Sequence, residues 1–160
     1  RRQIVEQLAI HPGGDVPACL VLMSIVKDAE RIGDQCKNLL EASQLLGGPL
    51  SELRFAGEIE EFERYVREAF ETTKRAFDTE DDSLAAEVIR DEVGWNKRFD
   101  GFFSELADAD IPTAEAVVAT LVGRALKRIQ AHLSNIASSV VMPVHQIDHR
   151  PKHLRGKKGE

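Results

Sequence analysis

Proline and glycine cut this chain into a few long segments, and each segment repeats its apolar residues with a helical period. Breaks fall at Pro12-Gly13-Gly14, at Gly47-Gly48-Pro49, in the Asp/Thr/Ser cluster from Asp78 to Ser83, and at Ile111-Pro112-Thr113. A short helix is expected to end near His11, and a long one to run from the first break to about Leu46. A third is expected from about Ser51 to Phe77, with Phe55, Ile59, Phe62, Val66, Phe70 and Phe77 on one stripe. The fourth carries Leu84, Val88, Trp95, Phe99, Phe102 and Leu106. The fifth has a wide apolar face built from Val118, Leu121, Val122, Ala125, Ile129, Leu133, Ile136 and Val140. No strand-like alternation competes. Helices of about 25–30 residues joined by short turns pack side by side, so the spacing predicts an all-α fold, an antiparallel bundle of long helices.

At 160 residues the chain is long enough to bury a sizeable core. No apolar run approaches the length that crosses a bilayer, and no signal-peptide pattern opens the sequence. Arg1-Arg2 leads straight into an apolar-periodic segment with no initiator Met, which reads as a fragment. Cys19 and Cys36 fall within one helical pattern, tens of ångströms apart at about 1.5 Å per residue, so they cannot pair with each other. Free buried thiols in a reducing cytoplasm are the expectation. The net charge of −6 is uneven: residues 150–160 carry +4, leaving −10 on the body. An acidic body argues against nucleic-acid binding, which requires phosphate neutralisation. The basic end reads as a solvated, disordered tail, with a docking arm for an acidic partner or membrane surface as the alternative.

Two helices contain related segments. Ala29-Glu30-Arg31-Ile32-Gly33-Asp34-Gln35-Cys36-Lys37-Asn38-Leu39 aligns with Leu126-Lys127-Arg128-Ile129-Gln130-Ala131-His132-Leu133-Ser134-Asn135-Ile136 at a constant offset of 97, with Arg, Ile and Asn shared. A three-helix unit used twice would produce that pattern.

Here the chain resembles the PhoU family, in which each of two three-helix repeats ends in a helix bearing Leu-Glu-Arg-Ile-Gly-Asp followed by an Asn-Ile pair. Glu30-Arg31-Ile32-Gly33-Asp34 matches the motif closely, while the second copy keeps Arg128-Ile129 and Asn135-Ile136. Pro12 and Asp15 resemble the family's lead into its third helix, and Val144 to Arg150 resembles its C-terminal end. The resemblance implies a remnant of a first repeat over residues 1–48, a complete second repeat over 49–145, and a basic tail over 146–160. The family's first helix and most of its second have no counterpart ahead of Arg1.

Glu30 and Asp34 project their carboxylates from one helix face about one turn apart. Spacing alone leaves them as surface carboxylates. The resemblance makes them metal ligands, holding a divalent or iron-type ion together with a second acidic motif on the preceding helix. That motif would precede Arg1, so half a site is expected here. At the second copy Lys127 and Ala131 replace the two carboxylates, and the companion motif reads Glu92 and Asn96. An ammonium repels a dication, so no metal is expected there. A Lys127–Glu92 ion pair, with Asn96 bridging, is expected instead. His132 lies near the core stripe and reads as a packed core or partner-contacting histidine rather than a ligand. His145, His149 and His153 recur every four residues, but Pro143 and Pro151 interrupt any helix that would align them.

Enzymatic readings find little support. No Glu-x-x-His pair of a carboxylate-bridged di-metal oxidase occurs, nor a Gly-rich phosphate loop or nucleophile elbow. The resemblance implies a cytoplasmic regulator of phosphate uptake without turnover, contacting a phosphate transporter complex and its sensor kinase near the membrane surface. An alternative is the cytoplasmic PhoU-like domain of a sodium–phosphate symporter; a helical-bundle metalloenzyme stands further off. A homodimer is expected, covering the apolar stripe of the helix from Asp15 to Leu46.

Overall fold

The computed structural model describes residues 3–6 and 16–142, and every long element in it is helical. Residues 3–6 form a helical turn. The long helices are α1 (Val16–Gln44), α2 (Ala56–Thr79), α3 (Asp82–Asp108) and α4 (Thr113–Val141), with a short 3₁₀ turn at Leu50–Glu52. The all-α bundle expected from periodicity is what the chain adopts. The lead into the third helical segment differs: Leu50–Glu52 coils as the 3₁₀ turn, and α2 starts only at Ala56. Leu53 and Phe55 are buried before the helix begins, which fixes the direction of approach.

Each boundary has a local cause. Glu80 takes a left-handed backbone conformation (φ 51°) after α2, and the Asp81 amide bonds back to the Ala76 carbonyl at 3.0 Å. Asp81 then caps α3, its Oδ1 accepting from the Ser83 and Leu84 amides at 2.9 and 3.1 Å. Those bonds, with one from the Ser83 hydroxyl, hold the Asp81 carboxyl below its ordinary range.

α4 is the hub, packing against each of the other three long helices. α2 and α3 run antiparallel, which sets Phe62 on Phe99 (stacked, 4.2 Å), Phe62 edge-on to Phe102 (5.2 Å), and Tyr65 flat on Trp95 (4.0 Å). The core runs from these rings through Val118, Val122, Leu126, Ile129 and Leu133 of α4 to Ala42 of α1. A smaller cluster of Ala76, Ala85, Val88, Ile89 and Ala137 closes the bundle beside the α2–α3 turn.

The expected stripe on α2 holds only over its first half. Ile59, Phe62 and Val66 are buried, but Phe70 and Phe77 are nearly half exposed. Ala69, Thr73 and Ala76 continue the buried line instead. Phe70 and Phe77 each follow one of those positions, about 100° further round the helix, and so face the gap between α1 and α2. There they flank a groove floored by Leu133 and Ile136.

At Gly123 the side chains of α3 press directly on the backbone of α4. A β-carbon there would stand 2.8 Å from Phe102 Cε1 and 3.1 Å from Phe103 Cε1. Phe102 is itself fixed against Phe55 and Phe62, so it has little room to move. Gly123→Ala is expected to lower stability by about 1–2 kcal/mol despite alanine's better helix propensity. Gly101, also within a helix, has open space where its β-carbon would lie. Gly101→Ala should raise stability by about 0.5–1 kcal/mol. Denaturant midpoints of the two variants check the contrast.

Candidate functional site

α1 lies antiparallel on α4, and the polar residues of that seam form the most constrained site in the chain. Along α1 the buried residues are Asp28, Gln35 and Ala42, seven apart. Ile25, Ile32 and Leu39, also seven apart, are half-buried beside them. This is the heptad pattern of paired helices, with polar residues at two of three buried positions.

Asp28 is almost wholly buried. Its Oδ1 accepts from His132 Nδ1 at 2.7 Å and from Asn135 Nδ2 at 3.3 Å, both on α4. Lys27 Nζ stands 3.6 Å from its Oδ2. These contacts compensate the buried carboxylate on one side: Oδ1 has two donors, while Oδ2 is buried without a hydrogen-bond partner and has only the Lys27 charge near it. Sliding α1 along α4 in either direction would strip Asp28 of His132 and Asn135, so the cluster fixes the register of the seam.

The residues singled out from sequence fall elsewhere. Glu30 and Asp34 are both exposed on α1, away from the buried line, and Asp34 Oδ2 accepts from Arg31 Nη1 at 3.2 Å. Among the described residues no group of three or more His, Cys, Asp or Glu side chains is arranged to hold a metal ion. A hard dication gathers about six or more oxygens, so this pair alone does not complete a site.

At the second copy, Glu92 is buried and accepts from Asn96 Nδ2 at 3.3 Å, while Ala131 is half-buried on α4. The expected Lys127–Glu92 pair is corrected. The Lys127 ammonium bonds to Asp100, two helical turns further along α3, and lies 6.0 Å from the centre of the Phe103 ring. Asp100 is exposed, so pairing there leaves the ammonium in contact with water, whereas Glu92 would require its full desolvation. Glu92 acts on the nearby Tyr65: burial first, then the charges of Asp91 and Glu92, push the phenol well above its ordinary range.

The two cysteines are free, but they are not buried. Cys19 is half-buried and Cys36 exposed, because the buried line of α1 runs through Gln35 rather than its neighbour. The expectations for His145, His149, His153, Pro12, Asp15 and the basic tail lie outside the described residues.

The family model described as the PhoU domain matches residues 59–140, which span α2, α3 and α4 almost end to end. The chain belongs to the PhoU family. No curated protein and no solved structure matches the chain. PhoU domains are regulatory, non-enzymatic units associated with phosphate transport. The matched region of this PhoU chain is the three-helix unit on which α1 is laid, and α1 carries the Glu30-Arg31-Ile32-Gly33-Asp34 motif. Among the described residues no helix is long and apolar enough to cross a membrane.

Sequence reasoning missed Asp28. Its partner His132 was read as a packed residue, and Asn135 as part of a motif without a role. The seven-residue spacing of Asp28, Gln35 and Ala42 was the signal that could have found it.

Proposed function

We propose that this PhoU-family chain regulates phosphate uptake in the cytoplasm, near the membrane, by docking helix faces onto a phosphate transporter complex and its sensor kinase, without turnover of its own. The observation that supports this reading is the unfilled outer surface of α1. Val16, Leu20, Leu22 and Leu40 on α1, and Leu45 just past its end, all stand more than 40% exposed. Exposed apolar side chains at both ends of this helix, Val16, Leu20 and Leu22 at its start and Leu40 and Leu45 at its close, offer surface that a partner would cover. Cells in which the chain is deleted should lose the adjustment of phosphate uptake to external phosphate. Uptake that still tracks phosphate normally would overturn the proposal.

Self-association belongs to the same reading. A second copy covering the start of α1 would bury Val16 and Leu20, one turn apart. Val16→Glu combined with Leu20→Glu should convert a dimer to a monomer in light scattering. A wild-type chain that is monomeric at high micromolar concentration would remove this part of the proposal.

Metal at Glu30 and Asp34 is likewise proposed, with the remaining ligands supplied from beyond the described residues. Alanine at both positions should lower the metal bound by a longer form carrying the preceding helices, and leave helix content unchanged. Unaltered metal stoichiometry would show that these carboxylates are not ligands.

A further inference from the structure

The α1–α4 seam is pseudo-twofold, and its two ends place their acids differently: Asp28 stands inside the seam at one end, whereas the acid at the other is Glu41, whose counterpart by the same offset is the neutral Ser138. The offset of 97 that carries Arg31 onto Arg128 also carries Lys27 onto Arg124 and Asp28 onto Ala125. Taken the other way, it carries His132 onto Gln35 and Asn135 onto Asn38. The structure keeps this correspondence. Asp28, His132 and Asn135 meet at one end of the seam. Gln35, Asn38, Glu41, Arg124, Ala125 and Arg128 meet at the other, where they line a groove of about 590 Å³.

At the first end the carboxylate of Asp28 is gripped by its donors. At the second end the donors remain, but a methyl group stands where the carboxylate would be. Arg124 and Arg128 lie one turn apart on α4, both exposed, and neither has a hydrogen-bond or ion-pair partner among the described residues. The groove's own acid, Glu41, is engaged by Lys37 at 3.5 Å. Gln35 is buried, and its carbonyl accepts from Asn38 Nδ2 at 3.2 Å. In a chain with a net charge of −6, two adjacent guanidiniums facing one groove, neither paired with its acid Glu41, are an unmet electrostatic demand.

We infer that this groove binds a doubly charged tetrahedral oxyanion of phosphate type, which supplies from solution the negative charge that Asp28 supplies at the other end. Two guanidiniums one turn apart match a dianion in charge, and each offers a planar fork suited to paired oxygens. A single carboxylate would leave one of them uncompensated. The site needs no docking partner, so it stands or falls separately from the function proposed above.

Calorimetric titration of inorganic phosphate into the 160-residue chain, at low ionic strength in a chloride background, tests it. Saturable binding with one phosphate per chain is expected, with acetate weaker by about tenfold or more. Arg124→Gln and Arg128→Gln, both at exposed positions, should each weaken phosphate by about tenfold. Ala125→Asp, which restores the internal carboxylate, should abolish binding; should it fail to fold, the arginine variants decide. Glycerol phosphate run in parallel assigns the source: tighter binding than inorganic phosphate points to a phosphate ester, and weaker binding to the free ion. No saturable binding of either, equal affinity for acetate, or wild-type affinity in both arginine variants would overturn the assignment.

Discussion

Phe62→Ala is expected to destabilise the chain by about 3–5 kcal/mol, the largest effect of any single truncation in the core. Phe62 is almost fully buried and touches three other rings: Phe99 at 4.2 Å, Phe102 at 5.2 Å and Trp95 at 6.2 Å. Those partners are themselves held by Tyr65, Phe55 and Phe103, so the cavity cannot close by a shift of one ring. At about 2–4 °C per kcal/mol for a chain near this size, the melting temperature should fall by roughly 6–20 °C. Phe70→Ala makes the control, since Phe70 is nearly half exposed and should cost much less. Equal losses in the two variants would mean that the ring stack does not centre on Phe62.

His132→Ala is expected to have an effect of comparable size, about 3 kcal/mol, but localised. Removing the imidazole leaves Asp28 buried with its strongest donor gone, held by Asn135 and Lys27 alone. Because α1 packs chiefly on α4, the loss should fall on α1 while the α2–α4 unit stays folded. Hydrogen exchange should show amides of α1 speeding up while those of α2 and α3 change little. Asp28→Asn, which keeps an acceptor for His132 and removes the charge, should loosen α1 less. Uniform acceleration throughout the chain would contradict a local role for the cluster.

The bundle was legible from the sequence because Pro and Gly mark its turns and because helical period is a local property. The α2–α3 and α3–α4 boundaries fall where the Asp78–Ser83 cluster and Ile111-Pro112-Thr113 place them. What could not be read locally was rotation. Phe70 and Phe77 look like core residues until α1 and α4 are in place, and only then does the line through Ala69, Thr73 and Ala76 win. Lys127 illustrates the same limit for charges. Its place in the second motif copy, where a carboxylate would stand facing the Glu92 helix, suggested a pair, but the flexible side chain reaches the exposed Asp100 instead. Motif reading drew attention to Glu30 and Asp34, which are exposed, and away from Asp28, two residues ahead of Glu30 and buried. A carboxylate's environment depends on which face the neighbouring helix covers, and the neighbour here is more than a hundred positions away in sequence.

The account rests on α1 as a docking face on a PhoU-family bundle, and direct binding tests that claim most closely. The purified chain would be immobilised and exposed to the phosphate transporter complex and the sensor kinase of the same cell, each in detergent or nanodiscs. Saturable binding to at least one of them is predicted. Leu40→Glu together with Leu45→Glu, both at positions more than 60% exposed, should weaken it by about tenfold or more. Absence of binding to both partners, or undiminished binding by the doubly charged variant, would contradict the account.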